Sequence, residues 1–183
     1  MTFRAFISVD LDHFSALRSL VRDVSAASHA LKVVDVDQIH LTLKFLGDTA
    51  VDLVPSIVSI MKDSVQGVEP FKMRLVGTGA FPNLDYMRVL WVGLEDGGAL
   101  GPIARNLDVS LSKFGFAKEE REFSPHVTIA RMKGSQGKDA IKAILGEHKA
   151  EVFGEQQVTC IRLKKSVLKP EGPVYSTVEE VRI

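Results

Sequence analysis

The sequence predicts an α+β fold in two lobes, with two pseudo-twofold-related β-α-β-α-β halves whose antiparallel or mixed sheets line a central cleft. Three observations carry this. The motif His40-Leu41-Thr42-Leu43 returns as His126-Val127-Thr128-Ile129. The order of apolar patterns around the first copy repeats around the second. Loops between elements are short and no low-complexity tract divides the chain, so the halves should pack closely. The expected organisation is one two-lobed domain over residues 1–183, with an internal repeat over about 3–77 and 87–164 and a closing hairpin at 164–183.

Phe3 to Val9 reads as a strand, with Asp10 near its end. Leu11, Phe14, Leu17, Leu20, Val21 and Val24 recur at helical spacing up to about Ala27. A turn-rich stretch with Asp35 and Asp37 leads into the first motif strand, which ends near Gly47-Asp48. A helix from about Asp52 to Val65 carries Pro55 in its first turn, where the missing N–H does no harm. Phe71 to Val76 is a strand, followed by a loop containing Gly77, Gly79, Pro82 and Asn83. The order then restarts with a strand from Met87 to Leu94. Leu100, Ile103, Leu107, Leu111 and Phe114 mark a helix that Gly115 terminates. The second motif strand, a helix from about Asp139 to His148 and a strand from Gln157 to Leu163 complete the repeat. Arg4 and Arg88, His40 and His126, and Arg74 and Arg162 occupy matching places.

On a strand, alternate side chains share a face, so His40 and Thr42 point one way while Leu41, Leu43 and Phe45 point the other. His126 and Thr128 repeat this against Val127 and Ile129. Histidine, with an ordinary pKa of about 6.5, gives or takes a proton near neutrality. Two of them facing one substrate can act as acid and base, which is the combination needed to open a phosphodiester with water. Thr42 and Thr128 can donate to the phosphate oxygens, and Arg131 would add a fixed charge suited to phosphate. Strict alternation puts Arg131 on the wrong face, so it reaches the cleft only if the strand bulges, twists or ends near Ala130. Lys44 shares parity with His40 and is a candidate substrate contact. Phe45, also a candidate, falls on the core face, which favours packing over stacking on a base.

Apolar residues make up 45% of the 183 and the net charge is zero, which argues against a protein that grips long nucleic acid by its phosphates. Cys160, the single cysteine, can form no internal disulfide and reads as a small buried strand residue. The apolar run Phe3 to Val9 is too short to span a membrane, and no cleavage site follows it, so a cytoplasmic protein with no membrane partner is expected. His13, His29 and His148 sit in or beside helical stretches and should face solvent. Two histidines with a carboxylate could hold zinc or iron, but the second motif's neighbours supply no evident third ligand, so no metal is expected. Gly77-Thr78-Gly79 lacks the spacing and lysine of a nucleotide loop.

Paired His-x-Thr-x motifs in a duplicated chain of this length resemble the 2H phosphoesterase superfamily. Within it the resemblance is to the RNA 2′,3′-cyclic phosphodiesterases, historically called 2′-5′ RNA ligases. It includes His40 to Gly47, Gly79 to Asn83, Val89 to Gly93, Arg121 to Arg131, Lys165 to Leu168 and Gly172 to Tyr175. One departure is visible: many relatives carry a tryptophan shortly before the first motif, where this chain has Val33-Val34. The resemblance implies a bilobal α+β fold and hydrolysis of an RNA 2′,3′-cyclic phosphate to a 2′-phosphomonoester, with no metal or cofactor. It implies that His40 protonates the leaving 3′ oxygen, that His126 activates water, and that Thr42, Thr128 and Arg131 hold the phosphate. The expected partners are RNA 3′ ends or short oligonucleotides bearing a cyclic phosphate, tRNA halves among them, met by a monomer. Two rivals stand beside hydrolysis. One is the reverse, 2′-5′ joining of RNA ends; the other is an RNA-end binding module without turnover, against which the presence of both histidines and both threonines argues.

Overall fold

The protein, seen in a computed structural model describing residues 1–170 and 172–183, forms one curled antiparallel sheet. In chain order the elements are β1 (Thr2–Asp10), α1 (Ser15–Ala27), β2 (Leu31–Val33), β3 (His40–Ala50), α2 (Val54–Ser64), β4 (Phe71–Phe81) and β5 (Val89–Glu95). Then follow α3 (Leu100–Ser112), β6 (His126–Met132), α4 (Lys138–Glu147), β7 (Val152–Val158), β8 (Cys160–Lys169) and β9 (Gly172–Arg182). The sheet runs β7-β4-β5-β6-β3-β1-β8-β9, and β2 lies beside the far end of β6. Every pairing among the described residues is antiparallel, so the α+β expectation holds in its antiparallel form.

The pseudo-twofold passes between β3 and β6, which meet at Leu41 and Val127. It relates β1 to β5, β8 to β4 and β9 to β7. Each lobe therefore contains a strand from the other half of the sequence. β4 leaves β1 and β3 to pair with β5 and β7, and β8 crosses back to pair with β1. The helices exchange too. α1 and α4 pack together over β7 and β4, and α2 and α3 pack together, with α3 against β3 and α2 against β9.

Local chemistry explains the elements. α1 buries Leu17, Leu20, Val21 and Val24 along one stripe. α2 starts with Pro55 in its first turn. Asp96 caps the entry to α3 by accepting from the Leu100 amide at 2.5 Å. Leu41, Leu43, Val127 and Ile129 join Leu17, Ile57, Ile103, Leu107 and Ile141 in one core between sheet and helices. Each such side chain contributes about 1.5–3 kcal/mol on burial. The opposite face of the sheet is left for the histidines.

Several boundaries differ from the sequence expectation. The glycines placed in a loop after Val76 stay inside β4; Gly77, at φ +72°, carries a register shift and the strand runs on to Phe81. The strand expected over Gln157 to Leu163 is divided at Thr159 into the end of β7 and the start of β8, so the closing hairpin begins at Cys160. Glu171, within that expected hairpin, lies outside the described residues. β2 is hidden in the turn-rich stretch because three residues carry no readable alternation.

Candidate active site

Both motif histidines open their strands, and both are oriented by the backbone in the same way. His40 Nδ1 lies 2.8 Å from the Gln38 carbonyl and His126 Nδ1 lies 2.7 Å from the Ser124 carbonyl. A carbonyl only accepts, so each Nδ1 donates and each Nε2 is left for chemistry. Leu41 pairs with Val127. Continuing that register one step either way sets His40 across from Thr128 and Thr42 across from His126. The two His/Thr pairs therefore share the sheet face opposite the core, as the alternation argument requires.

Beyond each threonine the alternation breaks at the same place. In β3, Thr42 pairs with Ser8 but Lys44 pairs with Ile7, leaving Leu43 as the extra residue. In β6, Thr128 pairs with Trp91 but Ala130 pairs with Leu90, leaving Ile129 extra. A bulge of one residue swaps the faces of everything after it. Arg131 is thereby turned to the exposed side, where its charge bears on the Tyr175 phenol. The bulge near Ala130 is the one its placement required.

The equivalent bulge in β3 corrects two expectations. Lys44 does not reach the cleft. It is 1% exposed and its ammonium donates to Asp108 at 2.8 Å, to the Ala117 carbonyl at 2.5 Å and to Glu119 at 3.2 Å. Phe45 is not on the core face. It is 61% exposed, with its ring centroid 6.5 Å from that of Phe6, on the His40 side. Phe45 and Arg131 are thus pseudo-equivalent, one apolar and one charged.

Several side chains of the site are not singled out by the sequence. Phe6 stacks on His40 with centroids 4.7 Å apart, and the Tyr175 ring meets His40 edge-on at 5.0 Å. Phe81 meets His126 edge-on at 4.9 Å and lies 5.3 Å from Trp91. Trp91 covers Gly79 so closely that a Cβ there would fall 2.2 Å from the indole. A signal for Phe6 is present: Arg4, Phe6 and Ser8 alternate against Ala5, Ile7 and Val9, but the run is too uniformly apolar to show it. Among the described residues, the indole N–H of Trp91 and Oε1 of Gln38 are buried without a partner.

The electrostatics of His40 are set first by burial, which lowers its pKa from the ordinary value. The Gln38 carbonyl and the Asp10 carboxylate pull it up, and Lys164 pulls it down. Asp10 is itself held by Lys164 at 2.8 Å and Arg162 at 3.2 Å. Burial raises the Tyr175 phenol, against the charges of Arg131 and Arg4, so it stays neutral across the working range. His13 and His29 face solvent, and His148 pairs with Glu151 at 2.5 Å, far from the motif strands in the fold.

A model of the LigT-like phosphoesterases matches residues 9–91 and again residues 92–175. The chain belongs to the LigT-like phosphoesterase family. The model matches twice in succession, once in each half of the chain. An RNA 2′,3′-cyclic phosphodiesterase of Methanothermobacter thermautotrophicus is 35% identical over 188 residues, covering 100% of both chains. One of Aeropyrum pernix is 38% identical over 153 residues, covering 83% of this chain and 86% of its own. Among solved structures, a protein of Thermus thermophilus aligns with a TM-score of 0.78 at 29% identity over 98% of this chain and 97% of its own. E. coli LigT complexed with 3′-AMP aligns with a TM-score of 0.76 at 20% identity, over 100% of this chain and 99% of its own, and so supports the fold. In this LigT-like phosphoesterase the two motif strands adjoin at the pseudo-twofold, where Leu41 pairs with Val127.

Proposed function

We propose that the protein hydrolyses RNA 2′,3′-cyclic phosphate ends to 2′-phosphomonoesters by paired-histidine acid/base catalysis. The observation that carries this is the matched orientation of His40 and His126, each with Nδ1 tied to the carbonyl two residues before it. In the reaction water attacks phosphorus and gives its proton to Nε2 of His126. The bond from phosphorus to O3′ breaks, and Nε2–H of His40 protonates that oxygen. Thr42 and Thr128 donate to the non-bridging oxygens, and Arg131 neutralises their charge. Phe45 and Tyr175 offer ring surface to the terminal base or ribose. The names of the relatives support the substrate class.

The acid role asks His40 to be protonated, whereas burial in the free protein favours the neutral ring. The phosphate resolves this: an anion beside the imidazole favours the charged form, so substrate brings the proton onto its own acid. The proton inventory closes with side chains alone, and we propose a metal-independent reaction in a cytoplasmic enzyme. The reverse joining of a cyclic phosphate to a 5′-hydroxyl uses the same residues, with water favoured by its concentration. The test is incubation of a 2′,3′-cyclic-phosphate-terminated oligonucleotide with purified protein in EDTA. A 2′-phosphate product is expected; no opening, or opening abolished by the chelator, would overturn the corresponding part of the proposal.

A further inference from the structure

The pseudo-twofold that makes the two motifs equivalent is broken in charge beside one of them. In β1 the residue paired with His40 is Asp10; in β5 the residue paired with His126 is Gly93. The next strand out repeats the difference. β8 sets Lys164 against Phe6 and Arg162 against Ser8, whereas β4 sets Phe81 against Val89 and Gly79 against Trp91. One imidazole thus has an Asp10–Lys164–Arg162 cluster beside it, and the other has two glycines and a phenylalanine at the corresponding places. Such a difference is what two chemically identical groups need if one is to give a proton and the other to take one.

We propose that Asp10, gripped by Lys164 and Arg162, is the positioning residue that makes His40 the proton donor of the pair, a role with no counterpart beside His126. The inference rests on the phosphodiesterase reading for its kinetic consequences. The Asp10 carboxylate accepts from Lys164 at 2.8 Å and from the Ser8 hydroxyl at 3.3 Å, and it forms an ion pair with Arg162 at 3.2 Å. Lys164 is 13% exposed at the side chain and Asp10 30%, so solvent screens the cluster only in part. Glu180 takes the other side of Arg162 at 2.9 Å. The groups facing His40 are then Asp10 from β1, Lys164 from β8, the neutral phenol of Tyr175 from β9 and, by register, the uncharged Thr128 from β6. Asp10 is the one anion among them. Its removal does more than delete an attraction, because it leaves the Lys164 ammonium without its carboxylate beside the imidazole. Removal of Lys164 does the opposite, and Arg162 still anchors the carboxylate.

The two variants Asp10→Asn and Lys164→Met are therefore predicted to act with opposite sign on one histidine. A general acid works only below its pKa, so the alkaline limb of kcat/KM moves to lower pH in D10N and to higher pH in K164M. At pH 8 this reads as about a tenfold loss for D10N relative to wild type, and for K164M as a higher ratio of the pH 8 to the pH 6 rate than in wild type. Asp10→Glu restores the wild-type profile in large part. NMR titration of the histidine ring protons reads the same effect without turnover: His40 shifts in opposite directions in the two variants while His126 stays put. Shifts of one sign in both variants, unmoved profiles, or an equal response of His126 would overturn the inference. Failure of the wild-type protein to open a cyclic phosphate would overturn the functional reading instead, and the titrations would still decide what Asp10 does to His40. Should D10N not fold, the sign of the K164M shift decides alone.

Discussion

Lys44→Met separates the structure's account of this residue from the one its spacing suggests. Parity with His40 makes Lys44 a substrate contact; the bulge at Leu43 makes it an interior strut, joining β3 to α3 and to the segment that leads into His126. The Asp108 carboxylate accepts from Lys44 at 2.8 Å and from the Glu119 amide at 2.9 Å. Burial alone would raise the Asp108 pKa, but those two bonds and the charges of Lys44 and Lys118 hold it below the ordinary range. Truncating one partner of a buried pair costs about 3–5 kcal/mol. Asp108 and Glu119 are 14% and 51% exposed, so water reclaims part of that, and about 3 kcal/mol is expected. In a chain of this size about 3 kcal/mol lowers Tm by roughly 6–12 °C. Urea unfolding followed by circular dichroism gives the stability. Steady-state kinetics at a temperature where the variant is folded give KM, expected near wild type. A variant within about 0.5 kcal/mol of wild type but with a raised KM would refute the placement of Lys44. Lys44→Met with Asp108→Leu should recover stability relative to Lys44→Met alone, since the carboxylate left without Lys44 is then only that of Glu119, which is 51% exposed and reaches water.

Because substrate is expected to bring the proton onto His40, the alkaline limb of kcat should lie at higher pH than that of kcat/KM, the first reporting the complex and the second the free protein. Coincident limbs would show that the phosphate does not act on His40. Arg131→Met should lower kcat/KM about 10- to 100-fold by removing a charge-assisted donor, with little change in Tm; a loss below about threefold would place Arg131 outside the phosphate site. Gly79→Ala forces Trp91 off its seat and should lower activity through the Phe81–His126 contact, visible as altered indole fluorescence; unchanged fluorescence and rate would contradict that packing.

The motif strands are legible in the sequence because strand period and the apolar core agree over His40 to Leu43 and over His126 to Ile129. The difficulty with Arg131 is legible too, since five residues from His126 cannot share its face on a regular strand. A bulge depends on which residue the neighbouring strand leaves unpaired, so neither Leu43 nor Ile129 announces itself. That is why spacing sets Lys44 and Phe45 each on the wrong side and sets Arg131 in the cleft only on a condition. The strand exchange is illegible for a similar reason. β4 follows β3 in sequence, but its partners β5 and β7 come later, and no local pattern records pairing at that distance. The cluster at Asp10 is hidden by separation as well, since Arg162 and Lys164 lie in the other half of the chain.

The most direct measurement is a crystal structure of the protein with adenosine 2′-monophosphate, the product of the proposed reaction on an adenosine end. The account predicts one phosphate with oxygens about 2.7–3.2 Å from Nε2 of both His40 and His126 and within reach of the Thr42 and Thr128 hydroxyls. A phosphate bound to one imidazole alone, or seated away from both motif strands, would contradict it.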